Sequence, residues 1–111
     1  MQSRDSRRQT EPLIDLSSPR HCHVVGIGGP GMSAIALLLH KSGHTVSGSD
    51  LYESDVIEQL RKEGVSVSIG HDSSLVQGKD VVLYSTAIPL SNVEIVEAER
   101  CGIPVRHRSG I

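Results

Sequence analysis

The 111-residue chain has no Phe and no Trp, and Tyr52 and Tyr84 are its only aromatic side chains apart from histidine. Proteins that bind single-stranded nucleic acid stack bases on aromatic side chains, and nucleic-acid-binding domains carry a strongly basic surface. This chain has neither property, since 13 acidic residues outnumber 11 basic residues and the formal net charge is −2. We therefore expect no nucleic-acid partner.

Cysteines and long apolar runs are also scarce. The two cysteines, Cys22 and Cys101, lie far apart in the sequence and form no metal-binding pair, so we expect two buried, reduced thiols. The six histidines form no metal-type cluster, and no metal site is expected. The longest apolar run, from Ile35 to Leu39, is too short to cross a bilayer. These absences predict a cytoplasmic protein without a membrane segment.

Glycine, in contrast, is concentrated where a predicted strand meets a predicted helix, in the pattern Gly26-x-Gly28-x-x-Gly31. Glycines at this spacing permit a tight turn and a close approach of the backbone to a ligand. The N–H groups that begin the helix attract anions. Gly29 removes a further side chain, and Pro30 has the φ angle of a first helical turn. This stretch predicts a loop that binds a diphosphate.

After this loop, predicted helices and strands alternate along the chain. Three predicted helices end at Gly43, Gly64 and Gly102, and a strand pattern follows each of them. Such alternation is typical of a parallel sheet that right-handed crossovers cover with helices on both faces. The sequence therefore predicts a single α/β domain with a Rossmann-like, doubly wound parallel five-stranded sheet, in the strand order 3-2-1-4-5.

The expected boundaries follow from apolar periodicity and capping residues. The strands are expected at residues 23–27, 45–49, 65–69, 80–84 and 103–106, with one helical turn near residues 71–74. The helices, counted with their caps, are expected at residues 30–42, 54–64 and 91–102. Val56, Ile57 and Leu60 are expected on the inner face of the second helix, and Ser91 and Glu94 form a capping-box pattern at the third.

Residues 1–19 contain charged and polar side chains with little periodicity, whereas the regular pattern begins after them. Segments of this composition do not bury enough apolar surface to fold. We therefore expect a flexible leader at residues 1–19 and a folded domain at residues 20–111.

Several polar or small side chains occur where the predicted strands end, which is the ligand-binding edge of a doubly wound sheet. A carboxylate after the second strand can accept hydrogen bonds from both hydroxyls of a ribose. A histidine after the third can contact a base or a ribose, and small hydroxyl side chains after the fourth leave room for a ligand. The candidate residues at these places are Ser49, Asp50, His71, Ser85, Thr86 and Ala87.

Each of these residues also has a plain structural explanation. Asp50 can be a turn residue or a helix cap, His71 can be an isolated surface histidine, and Pro89 can fix an ordinary strand-to-helix turn after Ser85. Ligand binding is favoured because the glycine loop and Asp50 occur together. No nucleophile lies beside a base, so the sequence predicts binding and not catalysis by these residues.

Taken together, the motifs resemble the N-terminal domain of the Mur ligases, in particular of members that act on UDP-N-acetylmuramate. The resemblance covers residues 21–108. It lies in four ordered segments: Gly26-Ile27-Gly28-Gly29-Pro30-Gly31-Met32-Ser33, Ser47-Gly48-Ser49-Asp50, Gly70-His71-Asp72, and Ser85-Thr86-Ala87-Ile88-Pro89 followed by Asn92.

The resemblance implies a role in the ATP-dependent joining of L-alanine to UDP-N-acetylmuramate during synthesis of the peptidoglycan precursor. It implies that Asp50 and His71 recognise uridine and that Ser85, Thr86 and Ala87 line the same cleft. The diphosphate would then contact the residues of the glycine loop, which are Gly28, Gly29, Pro30, Gly31 and Met32.

The resemblance also implies what is needed besides this chain. ATP and Mg²⁺ are bound in a central domain with a Gly-Lys-Thr/Ser loop, a C-terminal domain holds the amino acid, and the chain has no such loop. We therefore expect no cofactor in this chain and no ligation by it alone. Family members commonly have an acidic residue where this chain has Arg108-Ser109-Gly110.

Two other functions remain open on the sequence alone. The glycine loop and Asp50 are equally compatible with an NAD-binding Rossmann module of a regulatory protein or a dehydrogenase. A protein-interaction domain with a vestigial pocket would bind no nucleotide.

Overall fold

The computed structural model describes residue 18 and residues 20–108, so the expected leader lies outside the described part of the chain apart from residue 18. The described residues form strands β1 (His21–Val25), β2 (Thr45–Asp50), β3 (Ser66–Ile69), β4 (Val81–Tyr84) and β5 (Val105–His107). They also form helices α1 (Met32–Lys41), α2 (Asp55–Glu63) and α3 (Val93–Arg100), and a 3₁₀ turn at Ser73–Val76. None of these helices has the length and apolar character needed to cross a membrane.

The five strands form one parallel sheet in the order β3-β2-β1-β4-β5, which confirms the predicted fold class. β1 is the central strand, with Cys22 opposite Val46 of β2 on one side and Val81 of β4 on the other. β3 and β5 are the outer strands. Because all strands run in the same direction, the loops that follow them lie together at one side of the sheet, here called the carboxyl edge.

Two apolar clusters cover the two faces of the sheet. Successive residues of a strand point to opposite faces, so Val24 and Val25 belong to different clusters. Val24 packs with Met32 of α1 and Leu60 of α2, whereas Val25 packs with Ile95 of α3. The helices are therefore held on both faces of the sheet by buried side chains, as the alternation of elements predicts.

The first strand begins and ends earlier than expected, because the turn after it starts at Gly26. The backbone N–H groups of Gly26 and Ile27 both donate to the carbonyl oxygen of Ser49, at 2.8 and 3.0 Å. The ladder of β1 therefore closes at Val25. Helix α1 begins at Met32, the last residue of the glycine loop, and therefore two residues later than expected.

The second helix begins and ends with the expected capping residues. The hydroxyl oxygen of Ser54 accepts a hydrogen bond from the N–H of Ile57 at 3.2 Å, and Gly64 ends the helix with φ 110°. Ile57 and Leu60 are buried as expected, but Val56 is 43% exposed, so its predicted place on the inner face is wrong.

The capping box expected at the third helix is wrong, because Asn92 caps the helix in place of Ser91. The Asn92 Oδ1 atom accepts the backbone N–H of Glu94 at 2.8 Å. The Glu94 side chain is fully buried and does not reach back to a cap.

The expectation of two buried thiols is wrong for one of the two cysteines. Cys101, near the other end of this helix, is exposed, whereas Cys22 is buried. Burial raises the pKa of Cys22 to about 11, with a further contribution from the charge of Asp80.

Gly48 lies in the middle of β2, where Ile27 packs directly over its backbone. A Cβ atom at Gly48 would lie 2.7 Å from the Cβ atom of Ile27 and 2.8 Å from the carbonyl oxygen of Val24. Non-bonded carbon atoms pack at about 3.5–4.0 Å, so no side chain fits without movement of the strand or the turn. The turn after β1 therefore depends on a glycine in the neighbouring strand.

We expect Gly48→Ala to lower the free energy of unfolding by about 2 kcal/mol, because the added methyl group pushes Ile27 out of the core. Urea denaturation followed by circular dichroism measures this loss. Thr45→Ala in the exposed start of the same strand is the control and should change stability by no more than about 0.5 kcal/mol. Equal stability of Gly48→Ala and the wild type would contradict the close contact.

Candidate functional site at the carboxyl edge

The glycine loop uses most of its backbone N–H groups internally. Gly28 N–H donates to Asp50 Oδ2 at 2.8 Å, Gly29 N–H to the Gly26 carbonyl at 3.0 Å, and Met32 N–H to the Gly29 carbonyl at 3.1 Å. Gly31 N–H has no hydrogen-bond acceptor among the described residues. Gly31 also has φ 79°, a conformation that favours glycine. Gly31 therefore offers the loop's free donor at the start of α1.

The start of α1 also lacks a neutralising group. Its N-cap, Gly31, has no side chain, and no acidic residue lies in the first turn. The positive end of the helix dipole is therefore uncompensated by the helix itself. A Cβ atom at Gly31 would lie 3.0 Å from Nη1 of Arg108, so the Arg108 guanidinium sits against the loop. Arg108 forms no ion pair with another described residue. The N–H group, the helix end and this cation together can attract an anion.

Asp50 links the end of β2 to the glycine loop. Its Oδ2 atom accepts the N–H of Gly28, and its Oδ1 atom accepts the N–H of Leu51 at 2.7 Å. A carboxylate oxygen can accept two hydrogen bonds, so each oxygen keeps capacity for a ligand donor. The side chain is half-buried. Asp50 therefore both shapes the loop and presents acceptors at the carboxyl edge.

The turn after β4 lies on the other side of the glycine loop. The N–H of Ile88 donates to the Ser85 carbonyl at 3.0 Å, and a Cβ atom at Gly26 would lie 2.8 Å from Cδ1 of Ile88. Thr86 Oγ1 and His107 Nε2, at the end of β5, are joined by a 2.9 Å hydrogen bond. The turn that holds Ser85, Thr86 and Ala87 therefore packs on the loop and contacts β5.

Beneath the carboxyl edge, the Glu94 carboxylate is fully buried at the start of α3 and accepts four hydrogen bonds. His23 Nε2 and Ser49 Oγ donate to Oε1 at 2.7 and 2.8 Å. His71 Nδ1 and the backbone N–H of Asp72 donate to Oε2 at 3.1 and 3.0 Å. These five residues, here called the Glu94 cluster, join α3 to β1, β2 and the loop after β3.

The pKa of Glu94 reflects opposing effects. Burial raises this pKa. Hydrogen bonds from His23, Ser49 and the backbone of Asp72, together with the electrostatic attraction of the His23 ring, lower it by more than burial raises it, so the pKa lies below its ordinary value of 4.5. The carboxylate is therefore ionised near neutral pH and acts only as an acceptor.

The structure brings the residues of the sequence motifs to one edge, but not all of them face outward. Ser49 is fully buried in the Glu94 cluster, and the Met32 side chain is fully buried in the core with its N–H donated inside the loop. Pro30 and Gly31 are exposed, and Gly28, Gly29 and Asp50 are half-buried. Ser49 and Met32 therefore support the surface that the other residues form.

Sequence reasoning missed the contributions of Glu94, His23 and Arg108. Glu94 follows Ser91 by three residues, which is the spacing of a capping box. A histidine in an apolar strand, such as His23, is typical of an isolated buried side chain. Their contact crosses 71 residues, so no local pattern indicates it. The available signal was the pair of polar residues, His23 and Ser49, at buried positions of two neighbouring strands.

No group of three or more His, Cys, Asp or Glu side chains within residues 20–108 could hold a metal ion. His23 and His71 both contact Glu94, but the nitrogens that face it, Nε2 of His23 and Nδ1 of His71, are already hydrogen-bonded to its carboxylate oxygens. The Gly31 N–H, the start of α1 and the Arg108 guanidinium instead suit the binding of a polar, anionic ligand.

A comparison with protein-family models gives a match to the Mur ligase family, catalytic domain, over residues 21–111. The chain belongs to the Mur ligase family. This finding confirms the family that the four sequence segments indicate.

Individual family members support the same assignment. The UDP-N-acetylmuramate–L-alanine ligase of Chlorobaculum tepidum is 49% identical over 112 residues, which cover 90% of this chain and 24% of that protein. The crystal structure of the UDP-N-acetylmuramate–alanine ligase of Thermotoga maritima superposes with a TM-score of 0.77 at 36% identity, covering 81% of this chain and 21% of that one. A murein peptide ligase from Psychrobacter arcticus gives a TM-score of 0.69 at 31% identity, covering 78% and 18%.

This chain therefore spans at most 24% of the length of these ligases. The match to a ligase family does not favour the NAD-binding alternative.

We expect Glu94→Gln to lower the free energy of unfolding by about 2 kcal/mol at neutral pH, because the amide turns a donor towards residues that also donate. Folding lowers the pKa of Glu94, so the carboxylate stabilises the fold above its ordinary pKa, and this contribution is lost as the pH falls through the lower folded value. Urea denaturation at a series of pH values, from about pH 7 to below the ordinary pKa of 4.5, should therefore give a difference from the wild type that shrinks as the pH falls.

The matched control is Glu99→Gln, which removes the same charge from an exposed position of α3. It should change the stability by no more than about 0.5 kcal/mol. A Glu94→Gln difference that does not depend on pH would contradict an ionised carboxylate in the cluster.

Proposed function

We propose that this chain is the UDP-N-acetylmuramate-binding domain of an ATP-dependent UDP-N-acetylmuramate:L-alanine ligase of peptidoglycan precursor synthesis. The observation that carries the proposal is the convergence of an unpaired Gly31 N–H, the Arg108 guanidinium and the Asp50 carboxylate at one sheet edge. These are donors for phosphate oxygens and acceptors for sugar hydroxyls, side by side. The relatives named as UDP-N-acetylmuramate–alanine ligases support the identity of the ligand.

The diphosphate binds over the glycine loop in this proposal. Gly28, Gly29 and Pro30 carry no large side chain, so phosphate oxygens can approach the backbone. Gly31 N–H and the start of α1 supply a donor and a positive potential, and Arg108 supplies a cation. Charge-assisted hydrogen bonds to phosphate are among the stronger polar contacts. Met32 acts by holding the loop to the core.

The uridine extends from the loop across β2 and β3. Asp50 accepts from the ribose hydroxyls through its free lone pairs, and His71, which follows β3, contacts the base. Ser85, Thr86 and Ala87 line the opposite side of the cleft, next to the glycine loop. Ser49 positions the end of β2 from below.

The ligase reaction needs parts that the described residues do not supply. The chain has no Gly-Lys-Thr/Ser loop for ATP, and residues 20–108 hold no group of three metal-ligating side chains for Mg²⁺. ATP and Mg²⁺ would bind in the central domain of the full ligase, and its C-terminal domain would help to hold L-alanine. The proposal places residues 20–111 as the substrate-binding domain of a cytoplasmic enzyme and expects no ligation by this chain alone.

We expect isothermal titration calorimetry to detect saturable binding of UDP-N-acetylmuramate and weaker binding of UMP, because UMP lacks the second phosphate and the sugar. NADH, run as the control ligand, should not bind. Binding of NADH without binding of either uridine nucleotide would favour the NAD-binding module instead. No binding of the three ligands would count against the proposed site.

We expect Arg108→Ala to weaken UDP-N-acetylmuramate binding by about tenfold, because it removes one charge-assisted contact to the diphosphate. The loss should be smaller at high salt, where exposed charges are screened. Lys41→Ala is the matched control, since it removes an exposed cation from the opposite end of α1. Equal affinities of Arg108→Ala and Lys41→Ala would remove Arg108 from the diphosphate site.

A further inference from the structure

The ring of His71 has one nitrogen turned inward and one turned outward. Nδ1 lies 3.1 Å from Glu94 Oε2 and 3.0 Å from Ser49 Oγ. Nε2 has no hydrogen-bond partner among the described residues. Within the described chain no unpartnered side-chain nitrogen or oxygen is fully buried, so Nε2 keeps some contact with solvent, and the His71 side chain as a whole is 14% exposed.

Both inward neighbours require a proton on Nδ1. The Ser49 hydroxyl donates its hydrogen to Glu94 Oε1, so the Ser49 oxygen can only accept from His71. The carboxylate of Glu94 accepts as well. A neutral imidazole carries one proton, and with that proton on Nδ1 the outward Nε2 atom is a hydrogen-bond acceptor.

We propose that Glu94 is a positioning residue for ligand recognition, which holds His71 in the Nδ1–H tautomer so that its outward Nε2 accepts the imide N3–H of uracil. This inference rests on the proposed function, because it concerns the base of the same uridine ligand. It assigns base selectivity to a carboxylate that does not touch the ligand.

The order of groups along the carboxyl edge indicates that the base is the part of the ligand beside His71. The anion-binding loop follows β1, Asp50 ends β2 and His71 follows β3, which is the outer strand. Neighbouring strands lie about 4.8 Å apart, so the edge offers phosphate, sugar and base positions in that order. Uracil N3 carries a hydrogen, whereas cytosine N3 has a lone pair that would face the lone pair of Nε2 and repel it.

A purely structural role would not require this arrangement. A buried ionic group is often no more stabilising than apolar side chains of similar volume. Three of the four donors to Glu94 belong to Ser49, His71 and Asp72, which lie at or directly below the carboxyl edge. Orientation of a histidine by a carboxylate on its other nitrogen is a familiar means of selecting its tautomer.

The first test measures the ring nitrogens of His71 by long-range ¹H–¹⁵N NMR in the wild-type 111-residue chain without ligand. At about pH 8 we expect a protonated Nδ1 and an unprotonated Nε2. A proton on Nε2 at this pH would overturn the proposal. This measurement requires no variant and no nucleotide, so it is independent of the proposed function.

The second test compares UMP and CMP, which differ at the base edge and share ribose and phosphate. Wild type should prefer UMP, and Glu94→Gln should lower the UMP affinity about tenfold while the CMP affinity changes less than about twofold. Glu99→Gln should bind both nucleotides as the wild type does. Glu94→Gln should also shift the His71 proton towards Nε2, because a side-chain amide can donate to Nδ1.

The outcomes separate this inference from the proposed function. Unchanged UMP affinity and an unchanged His71 tautomer in Glu94→Gln would overturn the positioning role. A folded wild type that prefers CMP would overturn it as well. Absence of UMP binding together with the expected wild-type ring state would count against the proposed function, and the tautomer in Glu94→Gln would then decide the role of Glu94.

Discussion

A carboxylate that folding removes from water has to be surrounded by donors, and this requirement shapes one whole face of the sheet. Glu94 finds its donors on β1, β2 and the loop after β3, so these elements and the start of α3 must meet at one place. The His23 ring extends the arrangement, because its second nitrogen is hydrogen-bonded to Ser47 at 2.8 Å. The opposite face of the sheet is apolar around Val24 and needs no such matching.

The ligand edge depends on this buried arrangement and on close backbone packing. Ser49 serves both sides, since its hydroxyl enters the cluster and its carbonyl oxygen accepts the N–H groups that begin the glycine loop. The glycine loop lies close to β2 because Ile27 packs directly over Gly48. The hydrogen bond from Gly28 N–H to Asp50 also holds the loop to this strand. The proposed ligand-binding edge is therefore formed directly above the same contacts that hold β1 and β2 together.

Local patterns in the sequence predicted the fold and the edge of the sheet at which the candidate residues lie. Alternating helix and strand patterns with glycine stops at Gly43 and Gly64 are local signals, and they were sufficient for the strand order. The roles of Glu94 and Arg108 were not accessible in this way, because each acts on residues from distant parts of the chain. The capping prediction failed at Glu94 because burial beside His23 outweighs a local hydrogen bond at the helix start.

The central position of β1 affects how the chain can fold. β1 pairs with β2 across one short crossover, but its partner β4 begins only at Val81, after two helices and two strands. Bringing distant segments together costs more chain entropy than closing neighbouring ones. Glu94 lies in the later segment and its four donors in the earlier one. Docking of the second half therefore completes the core and fixes His71 in the same step, so a chain with its later helix detached would lose the proposed ligand-binding edge together with its stability.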